Sequence, residues 1–195
     1  PNSHSGKALA NILDTYPRDE LFQIDEDTLY EFALAMLQLD ERPRLRVLVR
    51  RDRFDRFVSV LMFVPRERAD SRLRTAIGSY LAAAFDGRVS AFYPYYTEGP
   101  LVRVHFIIGR NAGPTPQVPR AVLEQAIAGI LRSWTDSLGE ALAAAFVGDA
   151  ARTLAARYRD AFPAGYRDDY PPADAVAGIR VLEALSAQQP LGVDF

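Results

Sequence analysis

The sequence predicts an α+β fold followed by an all-helical segment. Between residues 20 and 110, strand-like and helix-like patterns follow one another in the order β-α-β-β-α-β, and one further strand comes at the end. A linker rich in proline and glycine then occupies residues 111–119, and after it apolar residues recur only at helical spacing. The order is that of the ferredoxin-like sandwich. We therefore expect a leading helix (1–19), an α+β domain (20–110), the linker and a helical segment (120–195).

The first elements are expected to be a helix, a strand and a second helix. The leading helix covers "SGKALANILDTY", where apolar residues recur at helical spacing, and it ends before Pro17. The short segment "ELFQI" (20–24) is a strand candidate and supplies the first strand of the sheet. In the next helix, "DEDTLYEFALAMLQLDE", acidic residues lie at the start, where the helix dipole favours negative charge.

Two strands with different patterns follow, and the turn "DRFD" joins them. In "RLRVLVRRD" apolar residues alternate with arginines, which predicts a half-buried strand at an edge of the sheet. The segment "RFVSVLMFV" is apolar on both faces, which is typical of a central strand that is covered on both sides. This third strand is also central in the ferredoxin-like order, so pattern and topology agree.

One face of the central strand needs a covering partner. The helices of a two-layer sandwich cover only one face of the sheet, so the other face requires a second domain, the helical segment or a second subunit. We expect this face to be buried, and it consists of Val58, Val60, Met62 and Val64.

A helix and a hairpin complete the α+β domain. The helix lies in "ADSRLRTAIGSYLAAAFDG", where Asp70 or Ser71 can cap the start and Gly87 is placed for the C-terminal end. The hairpin covers "RVSAFYPYYTEGPLVRVHFIIGR" and turns at "EGP". Its second strand is expected to extend the sheet at the edge, beside the fourth strand.

The helical segment begins with a long amphipathic helix, from about Arg120 to Phe146. Its apolar stripe is expected to pack on two further helices, the first capped by Asp149, as an antiparallel hairpin with Trp134 as a buried anchor. Two hypotheses fit this segment: it is a spacer that positions the α+β domain, or it completes that domain's core. The tail "QPLGVDF" has the pattern of a further element that begins there.

Composition excludes several classes of function. The net charge of −2 argues against a general nucleic-acid or anionic-membrane binder. The absence of cysteine removes thiolate nucleophiles and zinc–thiolate sites and fits a cytoplasmic protein. No apolar run reaches the roughly 20 residues that span a bilayer, and the first residues lack the pattern of a signal peptide.

The residue types of a catalytic site are sparse. The two histidines are His4, near the start, and His105, which shares the polar face of its strand with Arg103. The carboxylate pair Asp168–Asp169 lies in a turn rich in proline and glycine, where a solvated pair is expected. Neither glycine pattern that cradles phosphates is present. We therefore expect no catalytic residue, cofactor site or metal site in this chain.

Arginine is concentrated between residues 42 and 74, a stretch that contains roughly eleven arginines and only four acidic residues. A solvated face, pairing within the chain and an interface with a domain or subunit are the alternatives. RNA binding on the sheet is a remote alternative, because "RFVSVLMFV" does not meet the consensus of basic, glycine and aromatic residues that such domains have on the third strand. With the covered valine face, this gives the candidate interface residues Val58, Val60, Met62, Val64, Arg46, Arg50, Arg103 and His105.

Three long phrases carry a resemblance to a known family. At "TYPRDELFQI", "VLVRRDRFDRFVSVLMFVPRER" and "YYTEGPLVRVHFIIGR" the chain resembles the large bacterial NAD-specific glutamate dehydrogenases. The resemblance implies an internal fragment from the N-terminal portion of such an enzyme, with one ACT-like module of the β-α-β-β-α-β order. It also implies that NAD and the oxidative deamination of glutamate to 2-oxoglutarate belong to the parent enzyme, with no matching catalytic or cofactor residue here.

Two functional hypotheses follow from the resemblance. In the first, the chain is a regulatory or architectural segment whose partners are other domains of the same long chain and further subunits of a homo-oligomer. In the second, it is a sensor that binds an amino-acid effector. Related modules bind amino acids near a glycine-containing turn, whereas the turn "IDEDT" has no glycine and carries Asp25, Glu26 and Asp27, which would repel a carboxylate.

Overall fold

The computed structural model describes residues 4–97 and 99–185, and the chain divides into two compact units, residues 1–131 and 132–195. Glu98 in the expected hairpin turn and the tail "QPLGVDF" lie outside the described residues. In the first unit, four strands form one antiparallel sheet in the order β1-β2-β4-β3. The elements are α1 (His4–Thr15), α2 (Arg18–Leu21), α3 (Glu26–Glu41), β1 (Arg46–Arg51), β2 (Phe57–Pro65), a 3-10 turn (Arg66–Arg68), α4 (Ser71–Ala84), β3 (Gly87–Tyr96), β4 (Leu101–Arg110) and α5 (Arg120–Leu131).

The α+β class is confirmed, but the strand expected at "ELFQI" is wrong. Arg18–Leu21 is a short helix, which Pro17 precedes and whose first turn contains Asp19 and Glu20. The central place that this strand would have taken belongs to β4, which pairs with both β2 and β3. The strand expected at the edge is therefore central, whereas β1 lies at an edge as its alternating pattern predicted.

Helices cover both faces of the sheet. On the first face, the valines of β2 pack with α4 and α5, where Ile77, Leu81, Leu123 and Ile127 are at most 2% exposed. On the second face, side chains of α1 and α3 pack on other residues of the same strands. This second core consists of Ile12, Tyr16, Phe32, Ala33, Met36, Leu39, Leu48, Leu61, Phe63 and Leu101.

The burial predicted for the valine face of β2 is confirmed. Val58, Val60, Met62 and Val64 are all at most 2% exposed. The arrangement that motivated the prediction is different, because α3 and α4 lie on opposite faces of the sheet. The first helix of the expected helical segment, α5, shares the cover of the valine face with α4.

The single long helix expected from Arg120 to Phe146 is wrong, because the chain forms two helices there. Helix α5 ends at Leu131, and α6 (Trp134–Ala145) begins after Ser133. The Ser133 side chain accepts a hydrogen bond from the backbone of Asp136, and the Asp136 carboxylate accepts one from the backbone of Ser133. This capping box starts a new helix, so the apolar stripe belongs to two different cores.

The second unit consists of α6, α7 (Asp149–Tyr158), α8 (Ala164–Asp169) and α9 (Pro172–Ala184). Its core contains Leu138, Leu142, Leu154, Ala175, Val176 and Ile179. Trp134, expected to be a buried anchor, is half-buried at the edge of this core, and its Nε1 donates to the Tyr170 carbonyl oxygen at 2.8 Å. Gly148, with φ 67°, is the N-cap of α7 in place of Asp149. No helix in the described part of the chain has both the length and the apolar character needed to cross a bilayer.

Candidate functional site

A buried group of polar side chains, here called the polar cluster, lies on the second face of the sheet. Its members come from the residue that follows α1, from α2 and from three strands, and each is at most 7% exposed. Polar groups at this depth need partners inside the protein, because they have lost their hydrogen bonds to water. The polar cluster consists of Tyr16, Glu20, Arg50, Ser59, Arg103 and His105.

The strongest contact in the polar cluster joins α2 to β1. The Arg50 guanidinium donates from Nε to Glu20 Oε2 at 2.8 Å and from Nη2 to Glu20 Oε1 at 2.7 Å. This hydrogen-bonded partner raises the pKa of Arg50. Because both carboxylate oxygens are used by one guanidinium, the pair is a charge-neutral clamp between the helix and the sheet.

His105 and Ser59 face each other across the two central strands. His105 Nε2 lies 2.8 Å from Ser59 Oγ, and the same nitrogen lies 4.0 Å from Glu20 Oε1. Burial lowers the pKa of His105, although Glu20 acts in the opposite direction, so the ring is neutral at neutral pH. The arrangement is not a hydrolytic triad, because serine and acid approach the same nitrogen instead of the two different ones that a triad uses.

Arg103 is the member of the polar cluster whose charge has no acidic partner among the described residues. Its Nη2 donates to the Thr15 carbonyl oxygen at 2.6 Å, and the guanidinium carbon lies 4.5 Å from the centre of the Tyr95 ring. Burial lowers the pKa of Arg103. The buried Tyr16 hydroxyl neither donates nor accepts a hydrogen bond within the described part of the chain. Burial raises the pKa of Tyr16.

A cleft of about 520 Å³ lies beside the polar cluster, between α2 and strands β3 and β4. Three members of the cluster line it: Glu20, Arg103 and His105. The aromatic rings of Phe57, Tyr93 and Tyr95 also line the cleft, and the Tyr93 ring centre is 6.1 Å from that of His105. The cleft therefore combines aromatic surface with one buried cationic group.

The eight candidate interface residues all lie inside the first unit. The four on the valine face are in the core, and Arg50, Arg103 and His105 belong to the polar cluster. Arg46 is 8% exposed and contacts Glu124 of α5, with 3.4 Å between Nη1 and Oε1. In this structure, all eight residues are at most 8% exposed, and their role at an interface stays a prediction.

Sequence reasoning missed three members of the polar cluster, Tyr16, Glu20 and Ser59. Ser59 had a visible signal, because it is the only polar residue inside the otherwise apolar core of β2. Glu20 had none, because its partner Arg50 is 30 residues away in the sequence and on a strand whose pairing was not known.

Several members of the arginine-rich stretch have partners within the chain. Besides the contacts of Arg46 and Arg50, Arg56 donates to both oxygens of Asp52, and this hydrogen bonding lowers the pKa of Asp52 to about 2. The guanidinium of Arg74 lies 4.4 Å from the centre of the Phe92 ring. Pairing within the chain accounts for these arginines.

The remaining acidic residues do not form a metal centre in the described part of the chain, where no three histidines or carboxylates come together. Asp168 and Asp169 are exposed at the end of α8.

Three family models match successive parts of the chain. The model described as helical motif 1 of glutamate dehydrogenase matches residues 1–42, the ACT2 domain model matches residues 46–135, and the helical motif 2 model matches residues 141–185.

Curated relatives give the same result. The chain is 37% identical over its whole length to an NAD-specific glutamate dehydrogenase of Halomonas elongata and 34% identical over 99% of its length to one of Pseudomonas aeruginosa. It is 30% identical over 94% of its length to one of Mycobacterium tuberculosis. The chain spans 12% of the length of each of these relatives. It therefore belongs to the glutamate dehydrogenase family and carries that family's ACT2 domain together with helical motifs 1 and 2.

Proposed function

We propose that this chain is a non-catalytic architectural segment of a large NAD-dependent glutamate dehydrogenase. The parent enzyme would oxidatively deaminate L-glutamate to 2-oxoglutarate and ammonium in the cytoplasm, with NAD bound elsewhere in the same long chain. The names of the relatives, and the 12% of their length that the chain spans, support this assignment.

The observation that carries the proposal is that Glu20 and His105 bind other members of the polar cluster inside the protein. The side chains that could perform acid–base chemistry are committed to each other, since Glu20 is clamped by Arg50 and His105 bonds Ser59. These contacts tie α2 to β1 and β2 to β4. Buried groups used in this way hold elements in register, which is a structural role.

The proposed role is to present the ACT2 sheet as one body together with helical motif 1. Helices α1 to α3 supply the second core and one half of the Glu20–Arg50 clamp, so the sheet and the motif move together. The outer surface of this body would contact other domains of the parent chain and other subunits of a homo-oligomer. The turn "IDEDT" does not favour the sensor alternative, because Asp25 there accepts hydrogen bonds from the backbone and hydroxyl of Thr28.

A matched pair of substitutions on α5 tests the proposal in the full-length enzyme. Leu123 is 0% exposed beneath the sheet, whereas the adjacent Val122 is 49% exposed. Leu123→Ala should cost roughly 2–5 kcal/mol of folding free energy, and Val122→Ala should cost little. The L123A enzyme should therefore lose its native molecular mass in light scattering at a lower temperature than the wild type or V122A.

Steady-state kinetics separate an architectural role from a catalytic one. Below the temperature at which the assembly dissociates, L123A should have the wild-type kcat and the wild-type KM for glutamate and NAD. An L123A enzyme that keeps its native mass but shows a changed KM would assign this segment to the active site. Unchanged mass and unchanged kinetics at every temperature would make the segment dispensable, and either result contradicts the proposal.

A further inference from the structure

The charge of Arg103 is not neutralised within its surroundings. Arg103 is 6% exposed, yet its only hydrogen bond in the described part of the chain goes to the Thr15 carbonyl oxygen, through a single nitrogen. Among the described residues, no oxygen accepts from its other guanidinium N–H groups, and the Tyr95 ring offers no oxygen acceptor in its place. A buried cation is costly unless an anion or several acceptors face it.

The neighbouring groups do not supply the missing negative charge. Both oxygens of Glu20 bind Arg50, so that pair is neutral as a whole. His105 is neutral at neutral pH because of its burial. At the rim of the cleft, Arg18 and Asp19 are both exposed and opposite in sign. The interior of the cleft therefore carries one net positive charge, that of Arg103.

We propose that the cleft between α2 and strands β3 and β4 binds a small monocarboxylate with an apolar or aromatic body. The guanidinium of Arg103 would pair with the carboxylate, since a fork of N–H donors matches its two oxygens. Phe57 and Tyr93 would pack against the body of the ligand. This inference does not depend on the architectural role, because a segment can hold a domain in place and also bind a ligand.

The dimensions and charge favour a small molecule of this class. The volume of about 520 Å³ falls within the roughly 300–1,000 Å³ range of small-molecule sites, which are mostly apolar with a few polar groups. A single buried guanidinium suits one carboxylate, whereas phosphate sites usually combine several cations or backbone N–H groups. The cleft adjoins the histidine ring, so a bound ligand is visible to spectroscopy of His105.

Benzoate and benzamide are matched probes, because they share shape and differ in charge. We expect calorimetry on the full 195-residue chain to show benzoate binding at least tenfold more tightly than benzamide. In NMR spectra, benzoate should shift the ring signals of His105 and leave those of His4, the other histidine of the chain, in place. Equal affinity for the two probes, or no binding of benzoate at millimolar concentration, would overturn the proposal.

Two arginine substitutions distinguish a built site from general attraction to positive charge. Arg103→Gln and Arg18→Gln remove the same charge from the same cleft, but only Arg103 is buried in its wall. R103Q should weaken benzoate binding roughly tenfold or more, as expected for loss of a charged hydrogen-bond donor, whereas R18Q should change it less than about twofold. An equal effect of both substitutions would reduce the site to surface electrostatics and refute the proposal.

A third variant keeps the test decisive if R103Q does not fold. Tyr93 is 61% exposed, so Tyr93→Ala should leave the fold intact while removing one wall of the cleft. We expect benzoate binding to weaken roughly threefold to tenfold, as for the loss of an aromatic contact. Wild-type affinity in Y93A would show that benzoate binds elsewhere and would overturn the assignment of the cleft.

Discussion

Loss of the buried Glu20 carboxylate should destabilise the first unit. Without this carboxylate, Arg50 remains buried with no acidic partner, and breaking a buried pair in this way costs roughly 3–5 kcal/mol. Glu20→Ala should therefore lower the free energy of unfolding by about that amount in urea denaturation. The double variant with Arg50→Met should recover most of the loss, because no unpaired charge is then buried.

The exposed pair Arg157–Glu183 provides the control for this experiment. Its side chains are 58% and 30% exposed, and water screens their attraction. Glu183→Ala should leave the urea midpoint of the second unit unchanged. An unchanged urea midpoint in E20A as well would contradict the prediction, because the Glu20–Arg50 clamp would then not stabilise the contact between α2 and the sheet.

His105 should make the first unit sensitive to mild acid. Burial, opposed by the nearby Glu20, keeps the folded-state pKa of His105 below its ordinary value of 6.5. The unfolded chain therefore takes up a proton near pH 6.5 while the folded chain does not, so stability is complete above that pH and falls as the pH drops towards the folded-state pKa. Thermal melts between pH 7.5 and 5 should show this decline.

The pKa of Asp52 and a pair of histidine substitutions separate the contribution of His105 from that of other groups. Asp52, whose pKa is lowered to about 2 mainly by its hydrogen bond with Arg56, affects stability only below its ordinary value of 3.8. His105→Gln should reduce the loss of thermal stability between pH 6.5 and 5, whereas His4→Gln should leave that loss unchanged. A decline that persists in H105Q would place the titrating group elsewhere.

At the scale of single residues, local roles were predictable from sequence and distant partners were not. Asp70, one of the two residues expected to cap α4, is the cap, and this was predictable because a cap involves only residues three positions away. Gly87 was expected to end α4, but it begins β3, and a Cβ there would lie 2.3 Å from the Gly109 carbonyl oxygen. Asp86, with φ 46°, takes the left-handed conformation instead. The need for glycine comes from strand β4, which the local sequence does not reveal.

Among the elements, α5 should be indispensable to the first unit. Leu123 and Ile127 are fully buried under the sheet, and burial of each such side chain contributes roughly 1.5–3 kcal/mol. Together they contribute about 3–6 kcal/mol, which is comparable to the lower end of the roughly 5–15 kcal/mol by which a domain is stable. A chain that ends at Asn111 should therefore lack a cooperative thermal melt, whereas a chain that ends at Leu131 should retain one.

This pair of truncations decides between the two hypotheses for the helical segment. The expected result assigns α5 to the core of the first unit and leaves only α6 to α9 as a candidate spacer. A cooperative melt of the chain that ends at Asn111, at the midpoint of the longer chain, would make α5 part of the spacer.

Where the hydrophobic period was long, the type of an element was predictable but its ends were not always so. Helices α3 and α4 and the strands from Arg46 to Arg110 follow their sequence patterns closely. The strand predicted at "ELFQI" was wrong because a pattern of five residues cannot distinguish a strand from one helical turn. The hydrogen bonds between Glu20 and Arg50 hold this segment against β1. The break at Ser133 was hidden because the apolar period continues across it.

At the scale of the whole molecule, the fold class and the family were predictable from the sequence. The strand order and the layers of helices on the two faces of the sheet were not. The α+β composition and the long phrases around β2 identified the class and the family. The sheet order β1-β2-β4-β3 depends on β4 replacing a strand that does not form. That replacement, and the covering of both faces by helices, follows from the summed packing of distant elements and not from any one segment.

The central claim is that helical motif 1 and the ACT2 sheet fold as one unit. The most direct test compares urea denaturation of a chain of residues 1–131 with one of residues 46–135, the range that matches the ACT2 model. Without residues 1–45, Leu48, Leu61 and Phe63 lose their cover, and Arg50 loses Glu20. Residues 1–131 should unfold in one cooperative transition, and residues 46–135 should show none. A cooperative transition of residues 46–135 at the same midpoint would contradict the claim.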